Sequence, residues 1–102
     1  IRRVKFNIGL TYGTPVESIK KIVTAIEKMI NAHPNTTEDG ARVRFQEFGA
    51  SSLDLLVLYY VDSPDWELLI DTRQAVNFSI IEIVQAQGSD FAFPTTSVFL
   101  EK

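Results

Sequence analysis

An α+β fold, with one antiparallel sheet carrying two helices on a single face, is what this 102-residue sequence predicts. Three observations carry that prediction. Residues 3–12 alternate apolar and polar with period two. Residues 13–34 and 63–88 repeat apolar side chains at spacings of three and four. The segments follow one another as strand, helix, strand, strand, helix, strand, with short turns between them.

In the first strand, "RVKFNIGLTY", Val4, Phe6, Ile8, Leu10 and Tyr12 share one face, and Arg3, Lys5, Asn7, Gly9 and Thr11 share the other. That is a half-buried strand. The first helix should open with a capping box from Thr14 to Glu17, with Pro15 at the first helical position, where its missing N–H costs nothing. Ile19, Ile22, Val23, Ile26, Met29 and Ile30 form its apolar stripe, Lys20, Lys21 and Lys28 its wet side, and Pro34 follows its end. "ARVRFQEFGASSLDLLVLYYV" reads as two strands around a turn at Gly49 to Ser52. In the second of these, Leu53, Leu55, Val57, Tyr59 and Val61 lie on one face, and Leu56, Leu58 and Tyr60 follow Asp54 on the other. A strand apolar on both sides is central or covered twice. The second helix should be capped by Asp62 or Ser63, opened by Pro64 and stopped by Gly88. Its stripe is Leu69, Val76, Ile80, Ile83 and Val84, with Leu68 and Phe78 off it. A last strand is expected at Thr95–Leu100, after Pro94. With right-handed crossovers the β-α-β-β-α-β order most simply gives a ferredoxin-like sandwich, its first and third strands central.

A chain of 102 residues makes one domain, spanning 1–102. At this size it buries roughly two-thirds of its unfolded surface, enough for a core without staples. There is no cysteine, so no disulfide or thiolate metal site is expected. The net charge is −3 and the basic residues form no block along the sequence, which argues against a phosphate-binding surface. No stretch reaches the ~20 apolar residues of a spanning helix. A chain that begins with Ile1 is expected to have been cut from something longer.

With both helices on one face, the other face of the sheet has no layer of its own. It should hold Leu56, Leu58, Tyr60 and Phe48, mixed with the polar residues of the first strand, and with Phe99 near its rim. Loops such as 88–94 would give only partial cover. The C-terminal "DFAFPTTSVFLEK" adds Phe91, Phe93 and Phe99 within a dozen residues. Apolar surface on this scale calls for a partner. Phe48, Leu56, Leu58, Tyr60, Phe91, Phe93 and Phe99 are therefore the candidate oligomer interface.

Nothing in the sequence assembles chemistry. His33, the single histidine, adjoins Pro34 at a helix end. Glu38-Asp39 and Asp62/Asp65 are turn and cap carboxylates, and Ser51-Ser52 has no base beside it. "NTT" at 35–37 fits a glycosylation sequon, with no sign of secretion. No catalytic residue, metal ligand or cofactor site is expected. Single-strand RNA-binding domains share the element order, but "LDLLVLYYV" lacks their glycine-aromatic-basic pattern.

Several stretches together resemble the C-terminal cytosolic domain of the small-conductance mechanosensitive (MscS-like) channel family: "IGLTYGTPVESIKKIV", "VRFQEFGASSLDLLVLYYV" and "DFAFPTTSVFL". The matching positions are Tyr12, Thr14 and Pro15; Phe45 and Phe48; Ser52 and Leu53; Phe93 and Pro94. Thr96 stands where many members have arginine, and Ser89-Asp90 replaces a glycine-isoleucine-glutamate entry. The resemblance implies a non-enzymatic vestibule domain of a channel that opens under membrane tension and relieves osmotic stress. It implies a heptamer of copies in the cytoplasm below an inner- or plasma-membrane pore, whose helices this chain lacks. A regulatory ferredoxin-like module binding a small ligand at an oligomer interface is the alternative reading of the same open face, and a small hydrolase a third.

Overall fold

The computed structural model describes residues 2–92. Its elements run β1 (Arg2–Leu10), α1 (Val16–Asn31), β2 (Arg42–Phe48), β3 (Leu53–Val61) and α2 (Trp66–Ala86). The three strands form one antiparallel sheet in the order β1-β3-β2. β3 is central, as its two apolar faces predict. Among the described residues β1 lies at an edge rather than in the middle. The expected fourth strand at 95–100, together with Phe93 and Phe99, lies outside the described residues.

Parity along β3 sets the architecture. Leu53, Leu55, Val57, Tyr59 and Val61 are all buried, while Asp54, Leu56, Leu58 and Tyr60 are half-buried. Both helices cover the odd-numbered side. Ile19, Ile22, Ile26 and Ile30 of α1 and Leu69, Val76, Ile80 and Val84 of α2 join that side in a single core. α1 carries Glu17 in its first turn and Lys28 in its last, each complementing the helix dipole.

The helix entries differ from expectation. Pro15 is the N-cap of α1, with ψ 150°, and no side chain caps the helix. The expected capping box does not form, because Thr14 turns inward: its hydroxyl lies 2.6 Å from Ser89 Oγ and 3.3 Å from Thr11 Oγ1. A buried tertiary bond has taken the hydroxyl that a helix cap would have used. For α2 the cap is Asp65, which accepts from the Glu67 N–H at 3.1 Å. Ser63, one of the expected caps, instead accepts from the Asp65 N–H at 3.0 Å, and Pro64 stays outside the helix. α2 ends as predicted at Gly88, whose φ of 70° a residue with a Cβ rarely adopts. The Ser89 N–H reaches back to the Val84 carbonyl and the Gly88 N–H to that of Gln85, a Schellman closure.

β1 stops at Leu10, two residues before Tyr12, because its ladder with β3 ends at the Leu10–Leu53 pair. Beyond it the Thr11 N–H turns to the Asp90 carbonyl at 3.1 Å. Tyr12 is exposed, and its hydroxyl donates to the Gly49 carbonyl, tying the β2–β3 turn to the end of β1. The register between β2 and β3 shifts between Phe45 and Glu47, an extra residue that the alternation does not reveal.

Candidate assembly surfaces

The uncovered face of the sheet is laid out by register. One row runs Lys5–Leu58–Arg42, the next Asn7–Leu56–Arg44, with Arg3 beside Tyr60 and Gly9 beside Asp54. Residues directly opposite on antiparallel strands share a face. The apolar ridge of Leu56, Leu58 and Tyr60 is therefore flanked by cations from both neighbours. The flanking cations were scattered along the sequence; what gathers them is the same parity in "RVK" and "RVR". The stems of such side chains cover part of the ridge while their charges stay in water, which accounts for its half-buried state.

The cations are not equivalent. Arg42 Nη1 donates to the carbonyls of Asp39 and Ala41 at 2.9 and 2.7 Å. Arg44 wraps around the sheet edge to Glu27 of α1 at 2.7 Å. Arg3 and Lys5 make no ion pair or side-chain hydrogen bond among the described residues.

α1 protects that edge of β2. Glu27 Oε1 also accepts the Val43 N–H at 2.9 Å, and Asn31 Oδ1, one turn further on, accepts the Ala41 N–H at 3.0 Å. Two outward-facing strand donors are thus satisfied by side chains instead of being left open to another strand. Burial would raise the Glu27 carboxyl, but the Val43 N–H and the Arg44 and Arg42 guanidiniums outweigh it and hold it below its ordinary value.

Phe48 does not belong to the open face. The bulge returns it to the parity of Phe45; it pairs with Leu53 and meets Phe45 edge-on, their ring centroids 5.2 Å apart. It is 77% exposed. Phe91 is half-buried on the helix side, where it bridges Leu10 and packs against the core. With Phe6, Ile8, Ile80 and Ile81 it lines a groove of about 460 Å³ between β1 and α2, with Arg73 at its side. Thus Leu56, Leu58 and Tyr60 lie together on the open face. Phe48 and Phe91 lie elsewhere, and Phe93 and Phe99 are outside the described residues.

Sequence reading missed a further surface. Trp66, Ile70, Phe78 and Ile81 form an exposed apolar stripe on the outer side of α2. Its signal was Phe78, left off the core stripe: a helix apolar on two sides has two neighbours to satisfy.

Among the described residues the buried polar side chains are satisfied locally, with one exception. His33 Nδ1 accepts the Asn35 N–H at 3.1 Å, a loop role. Buried Thr72 accepts from Asn35 Nδ2 at 3.2 Å and donates to the Leu68 carbonyl at 2.7 Å. Ser52 donates to Asp54 at 2.6 Å, and Gly9 leaves room for that pair, since a Cβ there would lie 2.9 Å from Ser52. The exception is Tyr59, whose buried hydroxyl has no hydrogen-bond partner among the described residues. Burial pushes it up to about 12, against a smaller opposing effect of Arg73. Among the described residues no group of three or more His, Cys, Asp or Glu side chains is placed to hold a metal ion.

A family model described as the C-terminal domain of the mechanosensitive ion channel MscS matches residues 4–91. The chain belongs to the MscS family. This MscS-family domain is 41% identical over 101 residues to the small-conductance mechanosensitive channel MscMJ of Methanocaldococcus jannaschii, covering 99% of this chain and 29% of that protein. It is 39% identical over 102 residues to an uncharacterized MscS family protein of Aquifex aeolicus, covering 99% of this chain and 28% of that protein. It therefore spans less than a third of the length of these relatives. In fold it is similar to Arabidopsis thaliana MSL1, with a TM-score of 0.81 at 17% identity over 91% of this chain and 34% of that one. It is similar also to the closed state of Helicobacter pylori MscS, with a TM-score of 0.66 at 16% identity over 99% of this chain and 38% of that one. The α+β architecture, with two helices and an antiparallel three-stranded sheet, is that of MscS C-terminal domains. The Methanocaldococcus relative is named as a mechanosensitive channel.

Proposed function

We propose that this MscS-family domain is the non-enzymatic cytosolic assembly domain of a mechanosensitive channel that relieves osmotic stress. It works as one copy in a ring, seven by the family resemblance, and the pore belongs to polypeptide outside this chain. The observation that carries the reading is the match to proteins named as mechanosensitive channels along essentially the whole chain, at 41% and 37% identity. No helix among the described residues is long and apolar enough to cross a membrane. In this reading the domain supplies association energy and shape instead of a conduction path.

The surfaces suit that role. The Leu56, Leu58 and Tyr60 ridge is the face to be covered by a copy or by the rest of the polypeptide. A fourth strand next to β1 would complete a ferredoxin-like order; the antiparallel bridge of Leu10 with Phe91 and the Ala92 N–H to Gly9 carbonyl bond at 2.9 Å support it.

The test is deletion of these 102 residues from the full-length protein in a membrane. Loss of the assembled ring on native gels, together with loss of tension-activated current in a patch, is expected. Normal assembly and current without the domain would overturn the reading.

A further inference from the structure

The helix side of β1 has a gap in its middle. Val4 and Leu10 are buried, yet Phe6 and Ile8, between them on the same face, are only half-buried. Between β1 and α2 lies the groove of about 460 Å³, walled by Phe6, Ile8, Ile80, Ile81 and Phe91. Its one charged wall residue, Arg73, makes no ion pair among the described residues. Protein interiors are close-packed, so an apolar gap beside a strand edge calls for a side chain to fill it.

The chain itself runs into this gap. Leu10 and Phe91 form an antiparallel bridge. The Thr11 N–H donates to the Asp90 carbonyl at 3.1 Å and the Ala92 N–H to the Gly9 carbonyl at 2.9 Å. These bonds flank the bridge, which makes Leu10 and Phe91 a non-hydrogen-bonded pair. Antiparallel pairing advances along one strand as it retreats along the other, so the next pair of this kind is Ile8 with residue 93, a phenylalanine. Residue 93 has the parity of Phe91, and its partner Ile8 is a wall of the groove. One step later the ladder loses a donor. The Ala92 N–H points to β1, so the next amide to do so belongs to residue 94, a proline. Proline has no N–H and is confined to the ends and edges of sheets.

We propose that Phe93 fills the groove between β1 and α2 of its own chain, and that Pro94 ends the pairing there, so that residues 95–102 leave β1 midway along it. The occupant comes from the same chain because one peptide bond joins Phe93 to Ala92, whose amide β1 already holds. An aromatic ring suits the site: the walls are apolar, and Arg73 offers a cation to a ring face. Phe93 then belongs to the core of its own domain, and only residues beyond Pro94 are free for contacts outside it. This seat exists whether or not the domain assembles with copies.

A non-hydrogen-bonded pair sets its Cα atoms about 4.5 Å apart, within the span of a disulfide. The chain has no cysteine of its own. Three double variants are made in the full-length protein, with any cysteine outside these residues changed to serine: Ile8→Cys with Phe93→Cys, Ile8→Cys with Pro94→Cys, and Phe6→Cys with Thr95→Cys. After mild oxidation, non-reducing electrophoresis separates bridges within a chain from bridges between chains. The first variant is expected to shift to an internally bridged monomer, and the other two to stay at the reduced position. Equal oxidation of the first two would overturn the proposal, since a segment without register does not distinguish 93 from 94. A bridge at positions 6 and 95 as ready as that at 8 and 93 would overturn the stop at Pro94. A bridge between chains would overturn the same-chain seat. Fluorescence covers the case in which a cysteine at position 8 spoils the fold. Phe93→Trp in a Trp66→Phe background leaves a single tryptophan. Its emission is expected to be blue-shifted and shielded from iodide; water-like emission, freely quenched, would overturn the seat of the ring.

Discussion

Val57 and Leu58 are adjacent on β3 and point to opposite faces, so a charge placed at each should have opposite consequences. Val57 is fully buried between Phe6 and Val43 in the register and beneath both helices. Val57→Asp forfeits roughly 1.5–3 kcal/mol of apolar burial. It also leaves a carboxylate without a partner in the core, which costs about 3–5 kcal/mol more. The sum is comparable with the 5–15 kcal/mol that holds a typical domain together, so the variant should not fold.

Leu58 is half-buried and stands between Lys5 and Arg42. Leu58→Asp gives up about 1 kcal/mol of burial and up to ~1 kcal/mol of strand preference. Two new cross-strand opposite-charge pairs return roughly 0.2–1 kcal/mol each. The net cost of about 1 kcal/mol corresponds to a melting shift of roughly 4–8 °C. Circular dichroism melts of both variants and the parent decide it. Leu58→Asp should keep a cooperative transition near that of the parent, and Val57→Asp should show none. Equal collapse of both variants would mean that the open face is covered within one chain, and the partner argument would lose its basis.

Tyr59→Phe removes a buried hydroxyl that has no partner among the described residues, so it should leave stability unchanged or raise it by about 1 kcal/mol in urea titrations; a clear loss would reveal a bond made outside them. Because burial raises the Tyr59 phenol from 10.0 to about 12, its contribution is intact below pH 10 and is lost as pH rises through 12. The advantage of Tyr59→Phe should therefore widen across that window; a constant difference would refute the linkage. Thr14→Val and Ser89→Ala should each cost on the order of 1 kcal/mol, and the double variant less than their sum, since they share one hydrogen bond. Strict additivity in the melts would return Thr14 to a helix-capping role. For Glu27, whose carboxyl is held below its ordinary 4.5, the favourable contribution exists above that value and disappears as pH falls through the lowered one. The stability gap between the parent and Glu27→Gln should close in acid; a gap that persists there would show that the Arg44 and Val43 contacts do not depend on the charge.

Much of the architecture was legible locally. Period two in β1 and β3, the isoleucine spacing of α1 and the glycine after α2 each report a backbone geometry that neighbouring residues alone impose. The double-sided apolar pattern of β3 was enough to place it in the centre. The caps were not legible. Thr14 and Glu17 have the right types at the right spacing, yet Ser89, distant in sequence, takes the Thr14 hydroxyl. The candidate interface divided in the same way. Leu56, Leu58 and Tyr60 fall on one face by parity alone, whereas the placement of Phe48 depends on a bulge that shows only in the pairing of β2 with β3.

The sequence by itself determined the order of the two helices and the three described strands, which side of β3 is core, and to which family the motifs point, because each of these follows from periodicity or short-range order. Tertiary structure alone decided three things. It brought Arg3, Lys5, Arg42 and Arg44 around one apolar ridge. It set Glu27 and Asn31 of α1 on the free donors of β2. It put the α2 stripe and the Phe45–Phe48 edge at opposite ends of the sheet. All three depend on pairing register and helix placement, where a shift of one residue reverses a side chain to the other face. Such relations between distant segments exist only once the chain has packed.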